Sequence, residues 1–102
     1  MPQFLVLLYD GTDAEAPARR QATRRAHLDG LTDKVASGKI LFGGRIFNDA
    51  QQPTGSFLIA NCADRAELDA MIANDPYSKG RVWQTVEVKP AQVVVQNGKI
   101  TP

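Results

Sequence analysis

The chain has 102 residues, with 12 lysines and arginines against 11 acidic residues, one histidine and a net charge of +1. That length supports one hydrophobic core of ordinary size and not two, and the balanced charge supplies no field to draw the molecule to nucleic acid or an anionic membrane. At 43% hydrophobic and 23% charged residues, the composition is that of a globular domain. The single cysteine, Cys62, cannot close an internal disulfide, which fits a reducing compartment. The apolar run after Met1-Pro2-Gln3 is too short for a signal peptide or a membrane span, so the expected location is the cytoplasm.

Residues 3–9 are apolar almost throughout, closed by Asp10-Gly11, and predict a strand covered on both faces. From about 13 to 37 the period becomes helical. Leu28, Leu31 and Val35 mark the inward stripe, extended loosely by Ala18 and Ala22, and Gly38 is the expected stop. Thr12-x-x-Glu15 resembles a capping box while Pro17 belongs nearer a first turn, so the start stays open. Residues 39–47 predict a second strand, in which Gly43-Gly44 marks a bulge or a close backbone approach. A polar turn leads to a third strand, 56–62. Asp64-x-x-Glu67 opens a short second helix ending near Asn74. A fourth strand covers 82–88, and a tail strand at about 92–96 precedes an Asn97-Gly98 turn.

The order β-α-β-β-α-β is the ferredoxin-like split βαβ motif, an α+β fold within one domain over 1–102 whose core spans about 3–90. Right-handed crossovers put both helices on one sheet face. The first three strands carry large apolar residues on both faces, so the other face needs a cover. A second copy, joined by a two-fold contact, is the expected one: a homodimer with face-to-face sheets.

His27 is the only histidine and lies beside the predicted inward stripe, with Arg24 and Arg20 one and two turns earlier. An imidazole there serves general acid–base chemistry, or it is a core-edge histidine with a backbone partner; residue type alone favours the second. Asp75 follows the second helix, where a carboxylate opposes the helix dipole. Either it caps a one-turn helix starting at Pro76, or it accepts the Nδ1 proton of His27; capping is favoured on sequence alone. Of Arg19, Arg20, Arg24 and Arg25, Arg24 is the ligand candidate, because Glu15–Arg19 and Arg25–Asp29 have ordinary helix-pair spacing. Arg45 either holds a substrate anion or is an edge charge. One histidine and one cysteine give no metal-ligand spacing. Neither phosphate-loop motif is present, and Ser56 and Ser78 lack a nucleophile-elbow context.

Two blocks go further: Arg25-Ala26-His27-Leu28-x-x-Leu31 leading through Gly38-Lys39-Ile40-Leu41 to Gly43-Gly44, and Asn74-Asp75-Pro76-Tyr77 before Gly80 and Val86-x-Val88-x-Pro90. Over residues 3–90 the chain resembles the YciI-like (YCII-related) family. The resemblance implies a dimeric α+β barrel and a catalytic His–Asp pair, which maps onto His27 and Asp75. A characterised member eliminates HCl from a chlorinated hydroxyquinol, so the implied activity is a lyase- or isomerase-type proton transfer without a cofactor. The implied substrate is a small aromatic or enolisable molecule, for which Arg24, Arg45 and Tyr77 are the candidate contacts in this sequence. The alternative is a non-catalytic metabolite-binding or accessory dimer. Arg45 departs from the family pattern, which often has proline after the glycine.

Overall fold

A computed structural model describes all 102 residues. Strand β1 spans Gln3–Asp10, followed by helix α1 (Ala16–Ala36), β2 (Ile40–Phe47), β3 (Pro53–Asn61), α2 (Arg65–Asn74), the one-turn α3 (Pro76–Lys79) and β4 (Trp83–Ala91). The four strands form an antiparallel sheet in the order β2-β3-β1-β4. This is the ferredoxin-like α+β topology, with β1 and β3 central because each must be hydrogen-bonded on both sides.

Burial along β1 alternates, Phe4, Val6 and Leu8 being buried and Leu5 and Leu7 half-buried. Successive side chains point to opposite faces, so the first set faces the helices. There it meets Leu58 and Ala60 of β3 and Leu68 and Ile72 of α2 in one hydrophobic cluster. The opposite face carries Leu5, Leu7 and Tyr9, whose β3 partners are Ile59, Phe57 and Gly55. In β2, Phe42, Gly44 and Ile46 pair with the same three residues. No element of this chain covers that face.

The local signals hold with shifts. At the end of α1, Gly38 takes φ +79, and the Gly38 and Lys39 N–H groups donate to Val35 and Lys34 carbonyls at 3.1 and 2.9 Å. This is a Schellman stop, which needs a left-handed residue. The other end carries no side-chain cap: α1 begins at Ala16, with Pro17 in the first turn, so Thr12-x-x-Glu15 is not a capping box. At α2, Asp64 accepts the Glu67 N–H at 2.8 Å, while the Glu67 carboxylate takes the N–H of Ala63 at 3.2 Å. In β2 the register shifts fall between Ile40 and Phe42 and between Ile46 and Phe47, on either side of Gly43-Gly44. The pair instead permits close approach, since a Cβ on Gly44 would lie 2.7 Å from the Phe57 ring. Beyond β4, Val95–Gln96 (β5) and Lys99–Ile100 (β6) form a hairpin around Asn97-Gly98, both at positive φ. No helix is long and apolar enough to cross a membrane.

The expected inward stripe of α1 is corrected. Of its members Leu31 packs, half-buried, against the core, while Ala18, Ala22, Leu28 and Val35 are exposed; the buried residues are Ala16, Arg20 and His27. Their spacing of four and seven is helical, but two of the three are polar, so apolar periodicity traces the flank of the buried line. The proposed Glu15–Arg19 and Arg25–Asp29 pairs also do not form. Arg19 reaches Asp13 instead, at 2.8 Å.

Candidate active site

Asp75 stands at the junction of two helices. Its N–H closes α2 on the Ile72 carbonyl at 3.1 Å, and its side chain caps α3 by accepting the Tyr77 N–H at 2.8 Å. The cap requires extended backbone at Asp75, and Pro76 supplies the helical φ that follows. The same Oδ1 lies 2.8 Å from Nδ1 of His27, 48 positions away in sequence. The two readings of Asp75 are therefore both true of its geometry. A carboxylate oxygen accepts, so the proton of this bond is assigned to Nδ1, and Nε2 is left as the free nitrogen.

Aromatic rings hold the imidazole in place. Tyr77, fully buried, stacks on His27 at 4.0 Å between centroids and 8° between planes. Trp83 meets both rings edge-on, at 5.5 Å from His27 and 5.4 Å from Tyr77. The Tyr77 hydroxyl has no hydrogen-bond partner.

Beside the ring lies a polar cluster that reasoning from sequence passed over. Arg20 Nη1 contacts both Asp10 carboxylate oxygens at 2.9 and 3.0 Å, with each side chain only 4% exposed. Arg20 Nη2 donates to Ser56 Oγ at 3.0 Å, and Trp83 Nε1 donates to the same oxygen at 3.1 Å. Both partners are donors only, so the two lone pairs of the hydroxyl are occupied and its proton points elsewhere. No protein acceptor takes it. Burial pushes the Asp10 carboxyl above its ordinary range, against the pull of the Arg20 hydrogen bonds and charge. Arg24 was the arginine singled out of its run, yet Arg20 is the one buried in this cluster. The available sequence signal was its seven-residue spacing from His27. For Ser56 it was a polar residue at an inward strand position between Leu58 and the turn.

These groups line a cleft of about 290 Å³ between α1 and the β2–β3 pair. Arg24, Leu28 and Leu31 form one wall and Gly43 and Arg45 the other, with His27, Ser56 and Tyr77 also lining it. Four of the five residues singled out from sequence, His27, Arg24, Arg45 and Tyr77, thus share one cavity, with Asp75 behind the imidazole. A larger depression of about 570 Å³ lies between the Tyr9–Pro17 segment and Gln52–Thr54. Its two carboxylates, Asp10 and Asp13, are already paired with Arg20 and Arg19. Cys62 is buried with its thiol pushed upward by desolvation, and lies outside both.

The architecture has solved relatives. The chain is 27% identical to 5-chloro-2-hydroxyhydroquinone dehydrochlorinase from Burkholderia phenoliruptrix AC1100, solved in complex with 2,5-dihydroxybenzoquinone. The TM-score is 0.76, over 88% of this chain and 93% of that one. Two others share the fold alone. One is a dimeric ferredoxin-like protein of unknown function from Jannaschia sp. CCS1, at 15% identity and TM-score 0.53 over 91% and 100% of the two chains. The other is an antibiotic biosynthesis monooxygenase, at 16% and 0.52 over 93% and 100%. No curated protein sequence matches the chain. Residues 2–92 match the YCII-related domain, and the protein belongs to that family.

Proposed function

We propose that this protein is a small-molecule enzyme performing cofactor-free proton transfer of the lyase or isomerase type. The observation that carries the reading is the His27–Asp75 contact: it commits Nδ1 and leaves Nε2 as the basic nitrogen of a ring lining the cleft. In the proposed cycle, Nε2 takes a proton from carbon or oxygen of an enolisable or phenolic substrate, and Asp75 stabilises the imidazolium. The electron pair left behind develops on a substrate oxygen. The unspent Ser56 O–H, backed by Arg20, is placed to donate to it. Collapse of that oxyanion expels a leaving group with its electron pair, the imidazolium then passing its proton to that group or to water, or the proton returns from Nε2 to another carbon.

The working copy is a homodimer. Leu5, Leu7, Phe42, Ile46, Phe57 and Ile59 share the uncovered sheet face, and a second identical face is the cover of matching shape. The Jannaschia relative, described as dimeric, has the same fold.

The test is turnover of 5-chloro-2-hydroxyhydroquinone and a panel of enolisable compounds, read by chloride release and solvent-deuterium exchange. His27→Ala is expected to lose roughly 10²–10⁴ in rate, the usual worth of a positioned acid–base group, with its circular dichroism unchanged. Full activity in that variant refutes the role of His27. Binding without turnover across the panel replaces the enzyme with a metabolite-binding dimer.

A further inference from the structure

The lining of the cleft beside His27 is one-sided in charge. It contains Arg20, Arg24 and Arg45 and no aspartate or glutamate, in a chain that has nearly as many acidic as basic residues. Arg20 is neutralised by Asp10, as Arg19 is by Asp13 and Arg65 by Asp69. Arg24 and Arg45 differ. Neither makes an ion pair or a side-chain hydrogen bond to protein; the contact of Arg45 is a stacking one, with its guanidinium 5.0 Å above the Phe47 ring. Arg24 comes from α1, one turn before His27, and Arg45 from β2, opposite Ser56 in the register. Two arginines without a carboxylate partner therefore line the same cleft from opposite elements. Leu28, Leu31 and Leu58 also line it.

We infer that the substrate is a single-ring or similarly compact carboxylate, its anionic group clamped by Arg24 and Arg45 while its reacting atoms meet His27. The guanidinium fork matches a carboxylate in two parallel hydrogen bonds. Within apolar walls the attraction is less screened than on an open surface. A volume of about 290 Å³ is at the small end of ligand sites and fits one substituted ring. Residues one turn apart on a helix have Cβ atoms about 5–6 Å from each other, so an anion at Arg24 and an atom at His27 are separated by about the width of a ring. The inference rests on the proposed function only in taking this cleft as the ligand site.

The test uses benzoate, benzamide and phenyl phosphate, which share a ring and differ in charge and headgroup. His27 is the only histidine, so its imidazole Hε1 gives a single proton resonance that reports occupancy. Benzoate is expected to move it saturably and to bind at least about tenfold tighter than benzamide, the scale of a charge-assisted contact. Arg24→Ala and Arg45→Ala should each remove roughly tenfold of benzoate affinity and leave benzamide unchanged. Four results overturn the inference: equal affinity for benzoate and benzamide, tighter binding of phenyl phosphate, an arginine loss that weakens both ring compounds alike, or no saturable shift at millimolar benzoate. His27→Gln, followed by Trp83 emission, should keep the preference for benzoate. A catalytically silent His27 with that preference intact would refute the mechanism and leave the substrate class standing.

Discussion

Removal of the carboxylate behind Arg20 is the sharpest test of how the site is built. Asp10 and Arg20 are each 4% exposed at the side chain, so water stabilises neither charge. Replacing Asp10 with leucine leaves a buried guanidinium whose remaining partners are the Ser56 hydroxyl and the face of the Tyr77 ring. Breaking one side of a buried pair typically costs about 3–5 kcal/mol. With a urea slope of about 1–3 kcal/mol per molar, the unfolding midpoint should fall by roughly 1 M or more. Trp83, the only tryptophan, abuts the cluster through Ser56 and reports the transition. The double variant Asp10→Leu/Arg20→Met removes both charges. It should return to within about 1 kcal/mol of the wild type, because the attraction it loses is offset by the desolvation it avoids. Burial holds the Asp10 carboxyl above its ordinary range, so ionising it weakens the folded state. That contribution is complete below the unfolded value of 3.8 and is lost as pH rises through the higher folded value. The wild type should accordingly gain on the double variant as pH falls towards 4. A single-variant cost under about 1 kcal/mol, or a double variant as damaged as the single, would refute the reasoning.

Tyr77→Phe deletes a buried hydroxyl with no partner and keeps the ring on His27. Stability should stay level or rise by up to about 1 kcal/mol, and a clear loss in urea unfolding would show that the hydroxyl is bonded in solution. Asp13, held by Arg19 at 2.8 Å, titrates at about 2, below the ordinary 3.8. The stabilisation it provides is present above 3.8 and lost as pH falls through 2; a carboxyl ¹³C titration centred near 3.8 contradicts the bridge. Leu7→Asp places a carboxylate on the uncovered sheet face, where a two-fold contact brings it near its own copy. Sedimentation should show monomers with unchanged circular dichroism, and a persistent dimer would move the interface elsewhere.

The strands were legible because β1 and β3 obey the period of two on a face whose burial is complete. Gly38 was legible because a left-handed backbone admits few other residues, and the Asp75-Pro76 pair because a capping carboxylate followed by proline marks a helix start. The inner line of α1 was not. It runs through Arg20 and His27, and a rule that follows apolar residues is deflected onto Leu28 and Val35 at the cleft's flank. Asp10 and Trp83 escaped notice, and Ser56 was weighed only as a nucleophile, for another reason. Each comes from a different strand, and only register places Ser56 opposite Leu8 in β1 and Arg45 in β2. The Asp10–Arg20 and Ser56–Trp83 contacts carry no fixed sequence spacing. The His27–Asp75 pairing was the intermediate case. Each residue had a plain local reading, and the family resemblance tipped the balance towards their meeting.

Asp75 has a practical consequence for anyone mutating this protein. One side-chain oxygen opens α3 and aims the ring, so folding yield and turnover will fall together when it is truncated. A library sorted for solubility would discard Asp75→Ala before its chemistry could be assayed. Asparagine, which preserves an oxygen for the Tyr77 amide, is the replacement that lets the two losses be scored apart.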